Sequence, residues 1–467
     1  MQLWLQWWMA IWQLRSACSR LRTFLWFVTS VAGLTIRSDN LGVTSIVRAL
    51  GLKQIYYDRL LDSFHSRAIN LQKMTALWVS FALRSFPGIL KVNDRIVLLG
   101  DGIKIPKQGK LMPAVKRLHQ QSESNTKPEY IMGHSFQAVS LLVCARKSVL
   151  AVPLASRIHE GLVFSNRDQK TLLDKMVALV VSLAIVAPYY FVADAYYASK
   201  KVILGLLAQG NHLVTQVRIN AVAYYPAPAP TDRTKRGRPS KYGKKVKLRS
   251  LFSDRTRMQP AQSPVYGEDN VFLQFRCIDL LWRPVGIVVR FVLVVHPTRG
   301  RCILMSTDLS LQPIEIIRLY GYRFKIEVGF KQAVRTIGAY AYHFWMADMK
   351  PLRRGNGNQY LHRESKEYRE HIIRKIGAYH LFVHAGIVAQ GLLQYLSITC
   401  TDLVWSSFGS WIRTIRPGIA PSEMITKMAL KDAFPQFLLT RNTGSIFAKF
   451  IVERVDTSRS EGLRLVA

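Results

Sequence analysis

An α/β fold with a buried central sheet is the fold class that the sequence predicts. Helical patterns fill roughly residues 1–90, and from Asn93 the apolar residues follow the short, β-branched runs of strands. A helical pattern, DQKTLLDKMVALVVSLAIV, separates three of these runs from a fourth, YYFVADA. Strands and helices in this order predict a mixed sheet flanked by helices.

The same patterns divide the chain into five segments. We predict an N-terminal all-helical domain that is a candidate for DNA binding, an α/β core in two parts, a β-rich insertion between those parts, and a C-terminal helical tail. Within the first segment, two short helical patterns around Gly51 fit a DNA-reading helix-turn-helix or a helical layer on the core equally well. The predicted bounds are 1–90, 91–210 (core), 211–310 (insertion), 311–405 (core) and 406–467.

The charge of the chain predicts a polyanionic partner. Its 65 lysines and arginines against 29 acidic residues give a net charge of +36, and nucleic acid is the commonest partner of so basic a protein, with anionic membrane as the main rival. Five cysteines without a CxxC pair argue against structural zinc and disulfides and favour a reducing cytosol. The apolar N-terminal runs are too short to span a membrane, so we expect buried, Trp-rich helices.

A basic loop lies inside the predicted insertion. Residues 226–250 contain nine lysines and arginines and one aspartate, together with prolines that disfavour regular structure. Arg236 and Arg238 belong to an Arg-Gly-Arg-Pro run typical of an AT-hook, which enters a narrow minor groove. A flexible loop that binds phosphates without sequence preference is the favoured alternative.

Three acidic residues have the placement that metal-dependent phosphodiester cleavage requires. Asp101 and Asp194 are predicted at the ends of two strands of one sheet, and Glu327 on a helix that spans Leu319–Lys331. Two hard divalent ions need carboxylates held rigidly in this way. On the same helix, steps of three, four and four residues place Tyr320, Arg323, Glu327 and Lys331 on one stripe. An intrahelical ion pair is the alternative role for these charges.

The chain resembles the DDE transposases of bacterial insertion sequences. The family in question has a Tyr-x2-Arg-x3-Glu-x6-Lys signature, which Tyr320, Arg323 and Glu327 match; the position of the closing lysine is Val334, with Arg335 beside it. The blocks GDGIKIPKQGKLMPAVKRLHQQS, FVADAYYAS and LMSTDLSLQPIEII are also similar to the family. The resemblance covers roughly residues 90–345.

This resemblance implies a ribonuclease H-like core split by the β-rich insertion, and a cut-and-paste reaction. Asp101, Asp194 and Glu327 would bind two Mg²⁺ ions, for which Mn²⁺ can substitute, to cleave the transposon ends and transfer the freed 3′ hydroxyl to target DNA. The implied partners are double-stranded DNA and a second copy of the chain, in the bacterial cytoplasm at the nucleoid and without a membrane. The residues expected to contact DNA are Tyr320, Arg323, Lys331, Arg335, Lys104, Lys107, Arg236 and Arg238.

Two alternatives remain open at this point. One is a catalytically inactive DNA-binding protein derived from such an element, and the other is a basic membrane-associated protein.

The lysines after Asp101 (Lys104, Lys107, Lys110 and Lys116), with Arg117, are expected to form a second DNA-facing patch.

Overall fold

The protein is described by a computed structural model. The structure describes residues 1–40, 42–120, 128–228, 240–439 and 445–458. Arg236 and Arg238 lie outside these ranges.

Helices fill most of the chain up to Ser85 and most of the described chain from Lys366 onward, and they also flank the sheet. Residues Ala333–Ile337 continue the helix that bears Glu327 as one π-helical turn, which ends at Gly338 with φ of 68°. The α-helices are α1 (Gln2–Trp12), α2 (Leu21–Ile36), α3 (Thr44–Ala49), α4 (Tyr56–Phe64), α5 (Leu71–Ser85), α6 (Leu172–Ser182), α7 (Lys200–Leu207), α8 (Pro313–Gly321), α9 (Phe324–Gln332), α10 (Lys366–Thr399), α11 (Thr401–Ser407), α12 (Glu423–Leu439) and α13 (Ile446–Val452).

The strands form one large mixed sheet and one small parallel pair. They are β1 (Lys91–Val92), β2 (Arg95–Pro106), β3 (Lys116–His119), β4 (Tyr130–Ala145), β5 (Ser148–Ile158), β6 (Leu162–Val163), β7 (Tyr189–Ala193), β8 (His212–Val217), β9 (Val222–Pro226), β10 (Tyr242–Lys247), β11 (Gln259–Gln262), β12 (Phe272–Trp282), β13 (Ile287–His296), β14 (Gly300–Ser306) and β15 (Gln359–Tyr360).

The centre of the large sheet has a ribonuclease H-like arrangement, which confirms the predicted fold class. Its strands lie in the order β5-β4-β2-β7-β8, with β2, β7 and β8 parallel and with β4 antiparallel to β2. All five residues of β7 are buried, because a central parallel strand is covered on both faces. The site described below lies where β2 and β7 stop pairing.

The β-rich insertion extends this same sheet. Strand β14 pairs antiparallel with β8, and the sheet continues through β13, β12, β9 and β10. The expectation that the basic segment 226–250 is irregular was wrong in part. Strand β10 lies within it and pairs antiparallel with β9, and Val246 of β10 is buried. A buried valine and a paired strand edge fix this stretch despite its lysines.

A helical layer covers one face of the sheet. Helix α10 packs against β5, α2 and α12, and the N-terminal helices share its hydrophobic core. Trp4 and Trp7 are fully buried, and the Trp4 indole donates to the Leu430 carbonyl at 2.7 Å. The Trp-rich N-terminus therefore forms buried helices, as expected.

Among the described residues, one helix is long and apolar enough to cross a membrane. It is α10, and 94% of its most apolar window is buried inside the protein. Such burial is typical of a core helix.

Candidate carboxylate site

Asp101 lies in β2, and Asp194 comes directly after the end of the neighbouring parallel strand β7. The pairing of β2 with β7 ends at Gly100 opposite Ala193, and the two aspartates follow directly. Adjacent strands are about 4.8 Å apart, so the two residues are first neighbours across the sheet. Asp194 follows the end of β7 as predicted. Asp101 was wrongly predicted to end its strand, because β2 continues to Pro106 through its pairing with β4.

Backbone groups hold both aspartates in place. The Asp101 carboxylate accepts from the Gly102 amide at 2.7 Å, and the Asp194 carboxylate accepts from the Tyr196 amide at 3.1 Å. The Thr215 hydroxyl on β8 donates to the Asp194 carbonyl at 2.7 Å, which fixes the backbone where β7 ends. Sequence reasoning missed Thr215, and no local pattern distinguishes it from other strand residues.

Glu327 is brought to the aspartates through Arg323. Nη1 of Arg323 donates to Oδ2 of Asp101 at 3.2 Å, and Nη2 donates to Oε1 of Glu327 at 2.7 Å. Asp194 lies within electrostatic range of Arg323 and Glu327, since both charges shift its pKa. One guanidinium therefore joins the strand and helix carboxylates. The intrahelical pair between Arg323 and Glu327 does exist, but it is half of a longer bridge to the sheet.

The two aspartates are partly buried acidic groups whose pKa values are both raised. Burial, with further contributions from the charges of Asp194 and Glu327, raises the pKa of Asp101 to about 6, although the Gly102 amide and Arg323 oppose the shift. Burial also raises the pKa of Asp194 above its ordinary value. Such a site favours a bound cation.

The stretch that was predicted as a single helix over Leu319–Lys331 is two helices. Helix α8 ends at Gly321 and α9 begins at Phe324. The junction is a tight turn in which the amide of Arg323 donates to the Tyr320 carbonyl at 3.0 Å and the amide of Ile326 donates to the Arg323 carbonyl at 3.2 Å. These i to i+3 bonds place Arg323 at the start of α9, one turn before Glu327.

The donor set fits a divalent metal ion in its chemistry. Carboxylate oxygens are the ligands that Mg²⁺ and Mn²⁺ prefer, and the partly buried Asp101 carboxylate lies close enough to Asp194 and Glu327 for their charges to raise its pKa. Among the described residues, no three Asp, Glu, His or Cys side chains stand close enough to hold an ion as they are placed. The guanidinium of Arg323 lies between Asp101 and Glu327 and accounts for this separation.

Asp308, an acidic residue near the end of β14, does not belong to this group. Its carboxylate accepts from the Tyr190 hydroxyl at 2.6 Å and from the Ser310 amide at 2.8 Å. These bonds form a buried turn ahead of α8.

The matching family model supports a nuclease site. Residues 58–264 match the model described as "DDE superfamily endonuclease". The match includes Asp101 and Asp194, covers a little under half of the chain and ends before Glu327. No curated protein matches the chain. Among solved structures, the chain is similar to a piggyBac transposase synaptic complex with hairpin DNA, at a TM-score of 0.36 and 11% identity, over 95% of this chain and 78% of that one.

The signature residues around Glu327 differ in their contacts. The Tyr320 hydroxyl donates to Oε1 of Gln216 on β8 at 2.9 Å, so it ties α8 to the sheet. Lys331 and Arg335 are exposed, and neither has an acidic partner among the residues that the structure describes. Val334, at the position of the closing lysine, is also exposed. The DNA contacts of these residues stay predictions.

The predicted role of Lys107 in binding DNA was wrong. Its side chain is only 3% exposed, and its ammonium donates to the carbonyls of Tyr340 and Tyr342. Burial lowers the pKa of Lys107 to about 7. Lys107 therefore ties the end of β2 to the segment that follows the Glu327 helix. Lys104, by contrast, is exposed and donates to the His119 carbonyl at 2.6 Å.

Proposed function

We propose that this chain is a transposase that cuts DNA at transposon ends and joins the freed ends to target DNA. The observation that carries the proposal is the bridge from Asp101 through Arg323 to Glu327, beside Asp194 on the neighbouring strand. It connects Asp101, in the DDE-matched segment, to Glu327, which lies beyond that segment. The Tyr-Arg-Glu-Lys family of bacterial insertion sequences is the source that the sequence favours.

Asp101, Asp194 and Glu327 would hold two Mg²⁺ ions, or Mn²⁺ in their place. Ions held there supply a water of lowered pKa for attack on the phosphodiester and stabilise the leaving oxygen. The chain contributes the rigid positions of these carboxylates, since Asp101 and Asp194 are fixed by backbone amides and by the strand pairing. With a pKa of about 6, Asp101 is mainly ionised at neutral pH and able to act as a ligand.

Arg323 is placed to donate to a phosphate that enters between the strand and helix carboxylates. Its planar guanidinium offers two parallel donors, which suits a phosphodiester as well as it suits the carboxylates it now contacts. Lys331 extends the positive charge one turn further along α9. In the reaction, water attacks the phosphorus at the transposon end and the 3′ oxygen leaves; that 3′ hydroxyl then attacks a target phosphodiester.

The expected partners are double-stranded DNA and a second copy of the chain that holds the other transposon end. The net charge of +36 favours DNA strongly over a neutral partner. A bacterial cytoplasm, at the nucleoid, is the location that fits these partners.

An inactive DNA-binding protein is the second candidate, and two observations favour it. Arg323 pairs with both Asp101 and Glu327, and an exposed valine stands at the position of the signature lysine.

Cleavage of labelled DNA separates the two candidates. Purified chain is incubated with Mg²⁺ and an end-labelled duplex containing the DNA that flanks its own coding sequence, alongside Glu327→Gln. A transposase nicks the duplex and Glu327→Gln only binds it. If the wild-type chain and the variant bind equally and neither nicks, the second candidate is correct.

A further inference from the structure

A basic groove of about 720 Å³ lies beyond the end of β2. Its walls come from three segments: residues 106–117, residues 128–132 at the start of β4, and residues 352–355 of the loop before β15. The side chains that matter for its charge are Lys110, Arg117, Arg353 and Arg354.

The basic groove carries positive charge that the described protein does not neutralise. Lys110, Arg353 and Arg354 are exposed, and among the described residues they have no acidic partner and no acidic side chain lines the groove. Lys350, outside the groove, is by contrast paired with Glu364 at 2.6 Å. Uncompensated cations in a concave surface concentrate a field that attracts phosphates.

The walls of the groove are fixed by backbone hydrogen bonds. The amide of Leu352 donates to the Lys110 carbonyl at 2.8 Å, and the amide of Arg117 donates to the Asn356 carbonyl at 2.8 Å. Beneath the loop, Met346 and Met349 pack with Leu361 and Ile372 in a small core of their own. The cations are therefore held on a preformed surface.

An aromatic side chain with a free face lies at the rim of the groove. Trp345 is 64% exposed. It lies against Gly109 in the groove wall, where an added Cβ would meet the indole nitrogen at 3.1 Å. Elsewhere in the groove wall the guanidinium of Arg117 lies 3.8 Å from the ring centre of Tyr130, so one face of that ring is covered.

We infer that the basic groove binds an unpaired stretch of DNA strand, with phosphates on Lys110, Arg353 and Arg354 and a base stacked on Trp345. A cationic groove beside an exposed aromatic ring is the usual site for single-stranded nucleic acid. Its volume lies in the range of small-molecule pockets, roughly 300–1,000 Å³, so it admits a few nucleotides but not a duplex.

The path from the carboxylate site to the groove is short, and this part of the inference rests on the proposed function. The last part of strand β2 leads from Asp101 to Pro106 at the groove wall. This is a distance of roughly 17 Å at the rise of an extended strand. A strand cut at Asp101 thus reaches the groove within a few nucleotides.

Binding to single-stranded and duplex DNA tests the inference. The full chain is titrated in EDTA against a fluorescein-labelled oligothymidine and against a duplex of equal length, by anisotropy at several salt concentrations. The test variant is Lys110→Gln/Arg353→Gln/Arg354→Gln. The control is Arg146→Gln/Lys147→Gln/Arg413→Gln, which removes the same residue types from exposed positions, two of them in the turn at the far end of β4.

The test variant is expected to bind the single strand at least tenfold more weakly than the control variant does. In the test variant the plot of log K against log salt should become less steep by about two, since each lost phosphate contact removes about 0.7 from the slope. Duplex binding should change no more than in the control. Trp345→Ala should weaken single-strand binding by about 5- to 100-fold with the salt slope unchanged, because stacking involves no counterion release.

Two results would overturn the inference. One is equal weakening by the test and control triples, which would reduce the effect to general charge. The other is a loss of duplex binding as large as the loss of single-strand binding, which would assign the groove to the outside of a duplex. EDTA removes the divalent ions that cleavage requires, so the assay measures binding alone. The groove is therefore tested independently of whether the chain cuts DNA.

Discussion

Arg323 donates to Asp101 at 3.2 Å although 222 residues separate them in the sequence. The same guanidinium donates to Glu327 at 2.7 Å. One cation therefore stands between two carboxylates that the proposed function assigns to metal ions. Arg323 and a divalent ion compete for these oxygens.

Arg323→Gln should increase the affinity of the DNA-free chain for Mn²⁺ about five- to tenfold. The substitution removes an ion-pair partner from Asp101 and Glu327, a change of roughly 1 kcal/mol for partly exposed pairs. Electron paramagnetic resonance of free Mn²⁺ measures the change. Arg318→Gln, which removes the neighbouring pair with Glu315, is the matched control. Unchanged or weaker binding in Arg323→Gln would show that the two cations do not compete.

The glycines on either side of Asp101 should differ in their tolerance of a methyl group. A Cβ at Gly100 would lie 2.0 Å from the buried ring of Phe191, whereas at Gly102 the nearest atom is 3.5 Å away. Gly100→Ala should destabilise the protein by roughly 1–3 kcal/mol, as overpacking does, and Gly102→Ala by much less. Urea unfolding of both variants measures this, and equal stabilities would contradict the packing described around Asp101.

Tyr320→Phe should cost about 0.5–1.5 kcal/mol of stability, because it removes the hydroxyl that donates to Gln216. Tyr322→Phe is the control, since its hydroxyl has no hydrogen bond among those the structure describes. Both are compared by chemical denaturation. A loss in Tyr322→Phe as large as in Tyr320→Phe would remove the assigned role of the Gln216 bond.

Lys107 should make the stability of the protein depend on pH in the alkaline range. Its pKa is about 7 in the folded chain and about 10.5 ordinarily, so between these values only the unfolded chain holds the proton. Stability then rises with pH, by at most about 1.4 kcal/mol per unit for one proton. The unfolding free energy of wild type relative to Lys107→Met should accordingly increase between pH 7.5 and 9.5. A constant difference would contradict a low pKa for this lysine.

The sequence predicts the α/β fold and the strand that leads into Asp194. Both follow from the apolar periodicity of each segment and from the succession of strands and helices along the chain, which can be read without the tertiary fold. The sequence does not predict where β2 ends. After Gly102 the residues Ile103 and Ile105 keep an alternating pattern, and only the pairing with β4 shows that the strand continues past Asp101.

Contacts that are distant in the sequence account for the other differences. Nothing in the local sequence distinguishes the buried Lys107 from the exposed Lys104. Only the tertiary fold brings the Lys107 ammonium to the carbonyls of Tyr340 and Tyr342. The bridge from Arg323 to Asp101 is of the same kind. A helical stripe predicted the pair with Glu327, but the partner on the sheet depends on the tertiary fold.

Strand cleavage by single carboxylate variants tests the central claim most directly. Asp101→Asn, Asp194→Asn, Glu327→Gln and the control Asp308→Asn are compared with wild type on the labelled flanking duplex in Mg²⁺, with DNA binding measured in parallel. The account predicts that the first three variants bind DNA but lose nicking by at least a hundredfold, while Asp308→Asn still nicks. Nicking that survives in any of the first three, or that Asp308→Asn loses as completely as they do, would contradict a site built from Asp101, Asp194 and Glu327.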